Sequence, residues 1–247
     1  MITSKQNALV KEIRSLSDKK FRDRLGVFVV EGVKPVKEAI ALGLNVKDIV
    51  FTEKGEIALG KIKSDIKSQT VTEEIFSYIS EEVTPQGVLA VVFKPENELR
   101  PPKGNALLLD GVSDPANVGA IIRTAAAAGY NDIYMTDDSA DPYSQKAVRA
   151  SMSGVFRVRV MRGERETLFD SIDLPFWIAD MDGQNVFEVK PDGNFCLVIG
   201  NEGRGVSKLA VERADFTVSI PMENGVESLN AAVSAGILMY NLSGMKK

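Results

Sequence analysis

The chain has 247 residues, 44% of them hydrophobic and 26% charged, with a net charge of −4; this is ordinary globular composition, long enough to bury a sizeable core in one large domain or two small ones. It has no histidine and one cysteine, Cys196, which excludes imidazole bases, Ser-His-Asp and Cys-His triads, imidazole metal sites, intramolecular disulfides and paired-thiol redox chemistry. The first residues are polar and no long apolar run follows, so neither a signal peptide nor a membrane span is expected, and the single cysteine suits a cytoplasmic setting.

Leu9, Val10, Ile13 and Leu16 recur at helical spacing and predict an amphipathic helix over residues 4–17. Residues 1–40 carry nine basic side chains against five acidic ones, a local positive excess in an acidic chain. Scattered lysines commonly mean only a solvated helix face; they also permit contact with nucleic acid. Residues 26–30 read as a strand, 33–42 as a helix stopped by Gly43, 46–52 as a strand, 73–80 as a helix and 88–93 as an uninterrupted apolar strand. Strands alternating with helices predict a mostly parallel, covered sheet. Pro95, Pro101 and Pro102 then sit among charged residues with little apolar content, the composition of a linker. The expected organisation is an N-terminal domain over 1–95, a linker over 96–104 and a C-terminal domain over 105–247.

After the linker, residues 106–109 form an apolar strand ending in Asp110, and a helix is expected over 117–128, ended by Gly129. Strands are predicted at 132–136, 155–160, 176–179, 195–199 and 216–220, with helices at 145–150 and 228–242. Three loops follow strands and precede helices, at the carboxyl edge where open α/β sheets bind ligands. In the first, DGVSDPANVGAIIRTAAAAG, Asn117 suits an N-cap. Arg123 is the lone charge of a small, apolar helix, six positions on. It can fork two hydrogen bonds onto a phosphate or pair with a carboxylate at the core edge, and spacing alone does not choose.

The second loop, GNEGRG after residues 195–199, has three glycines in six positions. They allow positive φ and close backbone approach, but their order matches neither dinucleotide nor P-loop patterns. In the third, IPMENGVESLNAAVSAG, Asn224-Gly225 makes a turn, Ser228 suits a helix cap and Asn230 falls in the first helical turn. The small residues that follow fit close helix packing. Asp137, Asp138 and Asp141 match no calcium-loop spacing and read as solvated turn residues, as do Asp180 and Asp182.

Taken together and in order, NVGAIIRTAAAAG, LVIGNEGRGVS and IPMENGVESLN resemble the three motifs of the SpoU (TrmH-like) family, in the SPOUT class of RNA methyltransferases. The resemblance runs from about residue 106 to the end. FVVEGVKPVKEAI is more loosely similar to the α/β RNA-recognition domain that often precedes this catalytic domain. The resemblance implies an α/β fold whose C-terminal, mostly parallel sheet has helices on both faces and a deep trefoil knot. It also implies a homodimer, without metal, that transfers a methyl group from S-adenosyl-L-methionine to a ribose 2'-hydroxyl of ribosomal or transfer RNA. By the same matching, the catalytic positions are Asn117, Arg123, Glu202, Ser228 and Asn230, and the cofactor lies against Gly200, Ile220 and Leu229. Glu202 is expected to fix its loop or Arg123, and Arg123 to act as phosphate clamp or proton acceptor. One departure stands at Asn224, where the family often has glycine; a slightly altered turn is expected. Two other readings stay open: an RNA-binding protein on the same fold without catalysis, and a small-molecule enzyme using the glycine loop for a nucleotide.

Overall fold

In the computed structural model the described residues, 1–62, 65–96 and 98–243, form two sheets. Asn97 of the expected linker and residues 244–247 of the expected C-terminal domain lie outside the described residues. Contacts group the chain into one unit of Met1–Glu96 with Tyr143–Arg149, and a second of Asn97–Pro142 with Ala150–Lys247.

The first unit runs α1 (Ala8–Ser15), α2 (Lys19–Leu25), β1 (Val27–Glu31), α3 (Val33–Ala41), β2 (Val46–Phe51), α4 (Glu53–Leu59), β3 (Ser68–Thr70), α5 (Glu73–Ile79) and β4 (Val88–Phe93). The expected helix over 4–17 is shorter and is followed by a second: Asn7 caps α1, and Asp18 caps α2 by accepting from the Lys20 N–H. The sheet order is β1-β4-β2-β3. Here the expectation of a mostly parallel sheet is corrected. β4 pairs antiparallel with both β1 and β2, and only β2 and β3 run parallel. The alternation of strand and helix hid this because β4, last in sequence, inserts between β1 and β2. Val10, Ile13 and Leu16 pack with Val27, Val29, Ile75, Phe76, Leu89 and Val91 in one core. Part of the basic excess is locally engaged. Arg22 is buried and donates to the Leu16 and Ser17 carbonyls, Lys19 meets Asp23, and Lys5 meets Glu74.

The second unit carries β5 (Ala106–Asp110), α6 (Pro115–Ala127), β6 (Asp132–Thr136), a 3₁₀ turn (Gly154–Phe156), β7 (Arg159–Gly163), α8 (Arg165–Asp170), β8 (Phe176–Asn185), β9 (Cys196–Gly200), α9 (Lys208–Arg213), β10 (Phe216–Ser219) and α10 (Ala231–Leu242); α7 (Gln145–Ala150) falls mostly in the first. Its six strands, in the order β10-β8-β9-β5-β6-β7, are all parallel. Every residue of β5 is buried. Ala106 and Leu108 join a cluster with Leu168, Phe169 and Ala210 from α8 and α9, while Leu107 and Leu109 point the opposite way. A strand buried on both faces explains the unbroken apolar run. The strand expected at 155–160 starts later, at Arg159, because 154–156 turn against α6 before the ladder with β6 begins. Among the described residues no helix is long and apolar enough to cross a membrane.

Cys196, at the start of β9, is fully buried, and burial pushes its thiol above the ordinary range. In native protein it is expected to resist a thiol reagent even at pH 8.5 and to react completely in denaturant, measured by reagent absorbance. Rapid modification of the native protein would contradict this packing.

Candidate active site

The three loops meet at the carboxyl edge of the parallel sheet. β5 ends in Asp110, a buried carboxylate whose two oxygens face different partners. One accepts from Arg165 Nε at 2.6 Å, and the other from the Ser207 N–H at 2.7 Å, which anchors the start of α9. Gly111 follows at φ +79°. Its N–H donates to Thr136 and Ser139, and its carbonyl accepts from the Asn201 side chain at 2.8 Å. Asp138 accepts from Arg165. Asp110 and Asn201 were not singled out as site residues in the sequence; the usable signal was a carboxylate closing an apolar strand.

The second loop is a tight turn. Asn201 and Gly205 exchange two backbone hydrogen bonds, and Asn201 Oδ1 accepts from the Gly203 and Arg204 N–H groups. Gly205 uses a positive φ of 71°. Gly200 is needed for a different reason: a Cβ there would lie 2.3 Å from Gly205 C and Val206 N.

Glu202 sits on this turn and reaches the first loop. Its Oε2 accepts from the Ser113 N–H at 3.0 Å and from Ser113 Oγ at 2.8 Å. Its Oε1 accepts from the Asp114 N–H at 3.1 Å and Asn117 Nδ2 at 2.9 Å. Burial works to raise this carboxyl's pKa. The bonds from Asn117, Ser113 and Asp114, with one from its own N–H, outweigh burial and hold it at about 2. Asn117 Oδ1 in turn accepts from Asn230 Nδ2 at 2.9 Å. Residues from all three loops are thus joined in one chain of hydrogen bonds.

Two capping expectations are corrected. Asp114 caps α6, accepting from the Ala116 N–H with Pro115 in the first turn, so Asn117 lies buried inside the helix with its amide turned to Glu202. Asn230, not Ser228, caps α10, accepting from the Ala232 and Val233 N–H groups. An asparagine at the cap satisfies the helix with its oxygen and Asn117 with its nitrogen; a serine hydroxyl two residues earlier reaches neither.

The remaining positions stand apart from this network. Arg123 is exposed and, among the described residues, its guanidinium has neither hydrogen bond nor ion pair. Glu202 therefore bonds to the first loop and Asn117, not to Arg123, and among the described residues no core-edge carboxylate pairs with the arginine. Residues 221–229 are all exposed, with Ser228 and Leu229 among them, and Ile220 is half-buried. Asn224 (φ 55°) and Gly225 (φ 72°) form the turn closed by Val226 N–H to the Glu223 carbonyl. No group of three or more acidic or cysteine side chains is placed to hold a metal among the described residues.

Because Glu202 is more acidic folded than unfolded, its ionised form stabilises the fold in full above its ordinary value of 4.5, and that stability is lost as the pH falls toward 2. Glu202→Gln places an amide against donors. It is expected to cost roughly 1 kcal/mol at neutral pH, after discounting for solvent screening, and to flatten the acid limb in urea melts between pH 5 and about pH 2.

The SpoU rRNA methylase family profile matches residues 104–240, and that of the MRM3-like substrate binding domain matches residues 7–90. The chain is 33% identical to the 23S rRNA (guanosine(2553)-2'-O)-methyltransferase RlmP of Bacillus subtilis, over 98% of this chain and 99% of that protein. Among solved structures it is similar to an AdoMet-bound rRNA methyltransferase from Sinorhizobium meliloti, with 30% identity, a TM-score of 0.87 and coverage of 97% and 95%. It is also similar to the SpoU methyltransferase AviRb from Streptomyces viridochromogenes in complex with AdoMet, with 26% identity, a TM-score of 0.82 and coverage of 96% and 98%. With one family profile spanning more than half its length and a relative aligned end to end, the chain belongs to the SpoU rRNA methylase family.

Proposed function

We propose that this protein transfers a methyl group from S-adenosyl-L-methionine to a ribose 2'-hydroxyl of structured RNA, with ribosomal RNA favoured over transfer RNA. The observation that carries it is the hydrogen-bonded chain Glu202–Asn117–Asn230, which joins the three family motifs at one sheet edge and leaves Arg123 open beside them on α6.

The residues present suit such a cofactor. Gly200 lets the second loop fold back tightly against the end of β9, which sets that loop's backbone at the sheet edge. The exposed segment from Ile220 to Leu229 offers apolar side chains at both ends. Apart from the turn bond at Val226, its backbone groups have no backbone partner among the described residues. Open N–H and C=O groups beside apolar side chains are what an adenine edge and face require. The bound cofactor supplies an electrophilic methyl on a sulfonium, so the protein has to align an acceptor and manage one proton. Asn117 and Asn230 keep the motif loops in register, Ser228 orients the ribose or its phosphate, and Arg123 holds the RNA phosphate. A guanidinium is a poor base at neutral pH, and the exposure of Arg123 favours the clamp.

The N-terminal domain, residues 1–95, contributes to RNA recognition in this proposal, and the C-terminal domain forms a homodimer with the family's knot. Val233 and Tyr240 on α10, each half exposed, with Phe187, support a covered apolar face. The setting is cytoplasmic. Labelled S-adenosyl-L-methionine should methylate ribosomal RNA from a strain lacking this gene. Arg123→Ala should lower turnover by about 100-fold or more while a filter-binding assay still detects RNA binding, weakened only by the loss of one phosphate contact. Unchanged turnover would remove Arg123 from the site.

A further inference from the structure

The segment between α7 and β7 has an unusual backbone. Met152 (φ 46°) and Ser153 (φ 67°) are consecutive non-glycine residues in the left-handed region, one of them with a long side chain. Such conformations persist only where the surroundings impose them, and they gather at functional sites. Here the surroundings are well defined. Ser151 and Ser153 are buried, the Gly154 N–H donates to the Ser151 carbonyl at 2.8 Å, and the Arg157 N–H donates to the Gly154 carbonyl at 2.9 Å. The 3₁₀ turn that follows packs against α6.

The contact point is the backbone beneath Arg123. A Cβ on Gly154 would lie 2.9 Å from Arg123 Cα and 3.3 Å from both Arg123 N and the Ile122 carbonyl oxygen. All three neighbours are helix backbone, so none can swing aside as a side chain would. From another direction α10 packs on the same turn of α6, where a Cβ at Gly236 would make an ordinary 3.7 Å contact with Thr124. The Arg123 side chain itself is exposed and unpartnered among the described residues. Nothing at its tip holds it, so its aim is set from its root.

We propose that residues 151–156 form a rigid strut that fixes the position of Arg123, with Gly154 as a positioning residue acting through the α6 backbone. The inference rests on the methyl transfer proposed above only for its kinetic consequence; the geometric consequence stands without it. Any side chain at 154 pushes α6 away at Arg123 and displaces the guanidinium, and a misplacement of about 1 Å costs on the order of 100-fold in rate. Cofactor affinity is spared because Gly200, Ile220 and Leu229 lie on other elements.

The test compares Gly154→Ala with Gly129→Ala in the full chain. Gly129 follows α6 at φ +79° with open space around its Cα, so alanine there strains the helix end without pressing on Arg123. Gly154→Ala should lower kcat on ribosomal RNA at least about tenfold and leave the calorimetric Kd for S-adenosyl-L-methionine within about twofold. Gly129→Ala should lower the melting temperature and leave kcat unchanged. In an Arg123→Ala background, Gly154→Ala should cause no further loss, as two changes acting through one group are not additive. A crystal structure of Gly154→Ala should show α6 shifted at residues 122–124. If Gly154→Ala does not fold, Met152→Val opposes the left-handed turn from an exposed position and should lower kcat with Kd retained. A full additional loss in the Arg123→Ala background, or α6 unmoved in the crystal, overturns the strut. If the wild-type protein methylates no RNA, the function falls, and the crystal comparison still decides the strut.

Discussion

One carboxylate determines how the three loops meet. Glu202 has only acceptors to offer, and it takes four hydrogen bonds from Ser113, Asp114 and Asn117. That leaves Asn117 a single workable orientation, with nitrogen toward Glu202 and oxygen toward Asn230. Asn230 must then donate to Asn117 and accept from the first N–H groups of α10. Donors and acceptors match at every step, so the charge at one end orders a chain that spans residues 113 to 230. The same bonds account for the low pKa of Glu202, because each of them favours the ionised form.

The sheet makes this meeting possible. Six parallel strands deliver every loop of interest to one edge. β5 and β9 lie side by side with Asp110 opposite Gly200, which brings the first two loops together without a long excursion. Asp110 then binds the start of α9, and Asn201 binds Gly111, so the loops are tied at their bases as well as through Glu202. Gly200 allows the second turn to fold back against its own strand, where any larger residue would separate Gly205 from it.

What was readable from the sequence follows from where the signal is local. The strands at 88–93 and 106–110 announce themselves as apolar runs because both faces are covered. Asn224 and Gly225 were readable as a turn because few other pairs adopt two positive φ angles. β3 (Ser68–Thr70) left no trace, since three polar, largely exposed residues on a sheet edge carry no apolar period. The antiparallel pairing of β4 was hidden because strand order is a long-range choice. The caps were misplaced by a few residues for a specific reason: Asn117 and Ser228 are good capping types, and only the position of Glu202 and Asn117 in space shows that Asp114 and Asn230 take those roles. The motifs named the family, but neither the left-handed pair at Met152 and Ser153 nor the pressure of Gly154 on Arg123 has a pattern in one dimension.

The central claim is that these joined loops hold a methyl donor beside Arg123, and the most direct measurement is a crystal structure of the protein grown with S-adenosyl-L-methionine. The ligand is expected against the backbone of Gly200, Ile220 and Leu229, with Glu202 still bonded to Asn117. Density instead in the cavity of about 480 Å³ lined by Trp177, Lys190 and Phe216, with nothing bound against Gly200 and Leu229, would contradict it.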